Sequence, residues 1–128
     1  MTAGVKRLKH RADFLRTAAC GHKKVMPGFV LQVNQTPDEV IAHHEGATMR
    51  VGYTVTRKIG KAVVRNRAKR RLRAAVLEAL GTQGQDGFDY VLIGRRSPPR
   101  RPYAKLVFEL RSALSEIHTP NKQRNVTY

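Results

Sequence analysis

The chain has 128 residues, 41% of them apolar, and carries 25 Lys and Arg against 9 Asp and Glu, a formal net charge of +16. This length and apolar share predict one ordinary domain over residues 1–128 with a small core, and exclude a wholly disordered chain. A charge of +16 repels itself in the compact state and exceeds what solubility needs, so it implies a polyanionic partner, nucleic acid before an anionic membrane.

Leu8, Ala12, Leu15 and Ala19 recur at helical spacing, which predicts an amphipathic helix over Leu8 to Cys20 closed by Gly21. Gly28 to Asn34 alternates Phe29, Leu31 and Val33 with Val30, Gln32 and Asn34, a strand pattern, and a short strand over Val40 to His43 is a further candidate. Arg50 to Thr56 alternates Val51, Tyr53 and Val55 with Gly52, Thr54 and Thr56, and its β-branched content favours a strand. The period then switches. Ala68, Leu72, Ala75, Val76 and Ala79 share one helical face in Lys61 to Leu80, with Gly81 placed to stop the helix. Phe88 to Gly94 is a nearly continuous apolar run, as in a buried central strand. Leu106, Val107, Leu110, Ala113, Leu114 and Ile117 form the stripe of a last helix that starts after Pro102. The expected fold is an α+β or α/β two-layer sandwich, one mixed sheet of about four strands in the order α-β-(β)-β-α-β-α, with a βαβ unit between Arg50 and Gly94. Residues 119–128 read as a flexible tail.

Charge is clustered along this frame. Arg50 to Arg73 holds ten cations and no acid, and Met1 to Lys24 holds seven against Asp13 alone. On a helical wheel Arg65, Arg67, Lys69, Arg70, Arg71 and Arg73 wrap most of the circumference away from the apolar face. Their like-charge pairs at i,i+3 and i,i+4, with Lys61, cost about 1–3 kcal/mol in an isolated helix. A solubilising face normally mixes signs, so unrelieved Arg points to a ligand that supplies the counter-charge, and Arg suits bidentate phosphate contacts. Asn66 among them is either a nucleic-acid contact or a helix cap. Phe14 lies about 100° from Leu15 at the edge of the apolar face, as a core residue or a base-stacking one. Tyr53 is core-facing or ligand-facing.

The string RVGYTVTRKIGKAVVRNRAKRRLRAAV, Arg50 to Val76, closely resembles the signature of the bacterial ribonuclease P protein family, with its Arg65-Asn66-Arg67 followed by KRRLR. RLKHRADF, Arg7 to Phe14, resembles that family's opening, and DYVLIGRR, Asp89 to Arg96, its last strand. The resemblance implies a small α/β domain with a left-handed βαβ crossover, where the general rule alone gives a right-handed one. It further implies a subunit that binds a catalytic RNA and assists removal of the 5′ leader of precursor tRNA. By the same resemblance Lys58, Lys61, Arg65, Asn66, Arg67, Lys69, Arg70, Arg71 and Arg73 face the catalytic RNA, and Phe14, Tyr53, Arg95 and Arg96 line a cleft for the single-stranded leader. Ala18 and Gln32 stand where relatives can carry aromatic residues, which implies thinner stacking.

A ribonuclease built of protein needs clustered carboxylates or a His/Lys acid–base pair. The acids are scattered in the sequence, His43 and His44 point to opposite faces of any strand, and His10, His22, His118 and Cys20 have no metal spacing. We expect no catalytic residue and no metal ligand in the protein, Mg²⁺ with the RNA, and no obligate protein partner. A non-catalytic protein that binds ribosomal RNA or DNA is the alternative. The lone Cys20, and the lack of a signal peptide or of about 18 consecutive apolar residues, predict a cytoplasmic protein with no membrane partner.

Overall fold

A computed structural model describes residues 5–42, 49–95 and 102–118. Strand β1 (Val5–Arg7) is followed by helix α1 (Arg11–Cys20), the hairpin of β2 (His22–Val25) and β3 (Phe29–Gln35), and a short helix α2 (Asp38–Ala42). Strand β4 (Met49–Thr54), a 3-10 turn at Arg57–Ile59, helix α3 (Ala62–Gln83), strand β5 (Phe88–Gly94) and helix α4 (Tyr103–His118) complete the order. The five strands form one mixed sheet, β1-β4-β5-β3-β2. β4 and β5 are parallel neighbours joined through α3, the predicted βαβ unit, whereas β3 runs antiparallel to both β5 and β2.

Strand alternation sorts the sheet into two faces. Phe29, Leu31, Val33, Met49, Val51, Tyr90 and Leu92 belong to one core with Leu72, Ala75, Val76, Ala79 and Leu80 of α3 and with the buried stripe of α4. That core matches the predicted faces almost residue for residue, because both helices bury apolar side chains at helical spacing. Helix α1 lies on the other face, where Arg50 and Gly52 of β4 meet Asp13 and Phe14.

The departures from the sequence expectation have distinct causes. Among the described residues the sheet has five strands where about four were expected. β2 (HKKV) escapes a pattern search because it is an exposed edge strand whose lysines keep other chains from pairing there, and β1 is only three residues long. The candidate strand at Val40 to His43 is helical through Ala42, opened by Asp38 and Glu39 in its first turn, and His43 lies outside the described residues. Helix α3 passes through Gly81 and ends at Gly84, whose N–H donates to the Leu80 carbonyl at 3.1 Å; a glycine inside a helix costs only about 1 kcal/mol against alanine.

The largest correction concerns α1. It begins at Arg11, and its predicted apolar stripe faces outward: Leu15 is 56% exposed, and Ala12 and Ala19 are exposed too. The buried positions are Asp13 and Thr17. Leu8 is buried ahead of the helix, where its N–H donates to the Val51 carbonyl. Buried polar groups must be paired, and both of these are, Thr17 within the helix and Asp13 to Arg50 of the sheet, so α1 docks through one ion pair beside the Phe14 ring and not through its predicted apolar stripe. The flexible tail expected at residues 119–128 lies outside the described residues.

Candidate nucleic-acid interface

Helix α3 presents its N-terminal half as a cationic surface. Lys58, Lys61, Asn66, Arg67, Arg70 and Arg73 are exposed, and Arg65, Lys69 and Arg71 half-buried. Gly60, at φ 147°, takes a backbone conformation that other residues rarely adopt and turns the chain from the 3-10 segment into α3. The cap is Lys61, which makes no side-chain capping bond, so Asn66 lies inside the helix and its capping role is excluded. No acid sits in the first turn. Cations therefore surround the positive end of the helix dipole, a further unfavourable term without an anionic ligand. Among the described residues Arg65, Arg67, Lys69, Arg70 and Arg73 have no carboxylate partner. Arg65 Nε is buried and has no acceptor among the described residues.

Two of these cations line a depression of about 280 Å³ beyond the end of β1, together with Arg7, Leu8, Lys9, Phe14 and Tyr53. Because β1 pairs only with Met49 to Val51, that edge of β4 has no strand beside it from Gly52 onward. Phe14 therefore reaches the site from the α1 face and Tyr53 from the α3 face. The Phe14 ring rests on Gly52, where an added Cβ would lie 2.5 Å from Cε1 and Cζ. Tyr53 packs against the apolar core and carries the Arg73 guanidinium 5.8 Å from its ring centroid, a cation–π arrangement. Burial pushes the Tyr53 hydroxyl up to about 12 against the opposing pull of Arg73 and Arg7, so it stays protonated and can donate. Aromatic walls with cations on both sides can take a base against a ring and a phosphate beside it.

A second, wider depression of about 520 Å³ adjoins the first through the shared residues Arg7 and Lys9, and is lined also by Lys6, His10, Asp13 and Arg50. At its floor Arg50 donates from Nε and Nη2 to the two Asp89 carboxylate oxygens at 2.7 and 2.6 Å and from Nη2 to Asp13 at 3.3 Å. Hydrogen bonding to Asp89 is the main reason the Arg50 pKa lies above its ordinary value. Thr36 Oγ1 donates to Asp89 at 2.8 Å, and Arg16 pairs with Asp13 at 3.0 Å. Arg50, first in the acid-free run of the sequence, is thus neutralised inside the protein.

The predicted site residues separate accordingly. Phe14 and Tyr53 come together, joined by Lys69 and Arg73, which sequence reasoning grouped with the rest of α3. Arg95 lines a different crevice, of about 60 Å³, with Arg71, Ala68, Gly28 and Leu106, and its Nη1 donates to the Met26 carbonyl at 2.9 Å. Arg96 lies outside the described residues. Arg7 and Lys9 were not singled out; the cation cluster around Phe14 was their only signal, and it does not say which of its members share a cavity. Among the described residues no group of three or more His, Cys, Asp or Glu is placed to hold a metal ion, and no helix is long and apolar enough to cross a membrane.

Residues 3–118 match the family model for ribonuclease P. The chain is 43% identical over 117 residues to the ribonuclease P protein component of Paramagnetospirillum magneticum, covering 91% of this chain and 86% of that protein. It is 44% identical over 108 residues to the one from Gluconacetobacter diazotrophicus, covering 84% and 87%. The ribonuclease P protein of Thermotoga maritima superposes with a TM-score of 0.71 at 28% identity, covering 88% of this chain and 97% of that one. A sheet that carries an arginine-coated α3, and a match of this extent along the chain, lead to one conclusion: the chain belongs to the family of ribonuclease P protein components, subunits of an endoribonuclease.

Proposed function

We propose that this protein binds the catalytic RNA of ribonuclease P along the cationic side of α3 and the single-stranded 5′ leader of precursor tRNA in the depression beside Phe14. The carrying observation is the position of that depression, where Phe14 and Tyr53 meet Arg7, Lys9, Lys69 and Arg73 next to the arginine-coated helix. Lys58, Lys61, Arg65, Asn66, Arg67, Arg70 and Arg71 make the catalytic-RNA surface, and Lys69 and Arg73 stand where the two RNAs adjoin. Arg95, beside Arg71, extends that surface away from Phe14. With Ala18 exposed on α1 and Gln32 in β3, the leader relies on few rings and on charge and hydrogen bonds.

The cleavage chemistry belongs to the RNA in this reading. The buried carboxylates of Asp13 and Asp89 are both engaged by Arg50, a donor set unsuited to a divalent cation, so Mg²⁺ is assigned to the RNA and no step is routed through the protein. The protein instead screens phosphate repulsion between two RNAs and fixes the leader in one place, which lowers the Mg²⁺ requirement. It works in the cytoplasm without a membrane. Reconstitution tests this: the protein, added to a bacterial ribonuclease P RNA and precursor tRNA at low Mg²⁺, should stimulate release of the 5′ leader. Tight RNA binding without stimulation would overturn the proposal in favour of a non-catalytic RNA-binding protein.

A further inference from the structure

Helices usually take their roll about their own axis from an apolar stripe buried against the layer below. Helix α1 has no such anchor, since Ala12, Leu15 and Ala19 face solvent and the positions it buries are Asp13 and Thr17. Thr17 Oγ1 donates to the Asp13 carbonyl of the same helix and fixes nothing outside it. Among the described residues the polar tie from the buried side of α1 to the sheet is therefore the Asp13 carboxylate, held by Arg50 Nη2 at 3.3 Å next to the Phe14 ring on Gly52. Arg50 is itself fixed by the two-pronged grip on Asp89 in β5, the residue paired with it across the sheet, and Asp89 by Thr36 after β3. Asp13, Thr36, Arg50 and Asp89 are each no more than 9% exposed.

Asp13 is also the neighbour of Phe14, whose ring rests on Gly52, two residues along β4 from Arg50 on the same face. One guanidinium thus links the sheet to the residue adjoining the ring. A roll of α1 that broke the Asp13 contact would carry the Phe14 ring off Gly52 and out of the wall of the 280 Å³ depression. We propose that Arg50 is a positioning residue for the substrate RNA: acting through Asp13, it sets the roll of α1 and so holds Phe14 in place to stack on a base. Arg50 does not touch the RNA. A lysine in its place keeps the charge but has no planar fork to bridge two carboxylates. The inference rests on the leader-binding reading of the depression.

The test uses the reconstituted holoenzyme and two substrates, a precursor tRNA with a single-stranded leader and the same tRNA without it. Arg50→Lys should weaken binding of the leader-bearing substrate roughly fivefold, part of the value of one stacked base, while leaderless tRNA and catalytic-RNA affinity stay unchanged. Asp13→Asn, which leaves the Arg50–Asp89 pair intact, should lose affinity in the same direction and serves if Arg50→Lys does not fold. The deciding measurement repeats each substitution in a Phe14→Ala background, where its leader-specific loss should shrink to less than about twofold. A loss that persists in full there, or that falls equally on both substrates, overturns the positioning role. So does a silent Arg50→Lys and Asp13→Asn alongside a leader-specific Phe14→Ala, with the leader reading left standing. If Phe14→Ala itself shows no leader-specific loss, the leader reading fails and the inference falls with it.

Discussion

Gly52→Ala probes the contact on which the Phe14 site is built. The new methyl would lie 2.5 Å from Cε1 and Cζ of Phe14 and 3.1 Å from Leu8 Cβ, so the ring must retreat by about 1 Å to reach ordinary van der Waals separation. Forcing a methyl into a packed site costs about 1–3 kcal/mol, and the lower backbone entropy of an unfolded alanine returns about 0.4–1 kcal/mol. Since Phe14 is only half-buried, its ring can yield toward the open depression, which puts the net loss near 1–2 kcal/mol. For a chain of this size that corresponds to a fall in Tm of about 3–10 °C by thermal denaturation of the free protein. The displaced ring would also crowd the depression, so leader-bearing substrate should bind more weakly. In a Phe14→Ala background the obstruction is gone and Leu8 Cβ alone remains close, so Gly52→Ala should then change Tm by no more than about 2 °C. An equal fall in both backgrounds would refute the packing of Phe14 on Gly52.

Replacing Arg65 and Arg67 by Ala should flatten the slope of log K against log salt for catalytic-RNA binding by about 0.7–0.9 per lost phosphate contact; an unchanged slope would mean that these residues serve the fold. Asp89→Ala removes the two-pronged partner of Arg50 and should cost toward the low end of about 3–5 kcal/mol in urea denaturation, because it leaves the buried guanidinium only the 3.3 Å contact with Asp13. His118, whose Nε2 is 2.7 Å from the Tyr90 hydroxyl and whose ring meets Phe88 edge-on, has its pKa lowered by burial. The unfolded chain then binds the proton more readily than the folded one, so stability should be full above the ordinary histidine pKa near 6.5 and fall as pH drops below it. His118→Gln should remove that part of the pH dependence in equilibrium unfolding monitored from pH 7.5 to 5; a slope that survives the substitution would assign it to another group.

Legibility in the sequence followed the kind of force each element uses. β5 was readable to the residue, and α4 and the buried face of α3 nearly so, since each buries apolar side chains at its own period. β2 was hidden because an edge strand protected by lysines gives no alternation. The outward turn of Leu15 was hidden for another reason: the apolar stripe on α1 was a true helical pattern, but burial went to Asp13, whose partner in the sheet, Arg50, lies 37 residues away. Of the site residues, those of α3 were legible as an unrelieved run of cations. That Lys69 and Arg73 share a cavity with Phe14 and Tyr53 was not, because it depends on where β1 stops covering β4.

The sequence alone determined the class of partner, the helix on which the unrelieved cations gather and the order of the central elements. Net charge, like-charge spacing and apolar period are local sums that tertiary contacts do not change. Only the tertiary structure decided which cations remain available. Arg16 and Arg50 count toward the +16 of the chain, yet both are spent on Asp13, and Arg50 on Asp89 as well, because a charge taken out of water must be paired inside the protein. The tertiary structure also decided which way α1 faces, since the side of α1 that carries Asp13 is held to the sheet by an ion pair with Arg50, and the helix itself offers one leucine between two alanines as the competing apolar area.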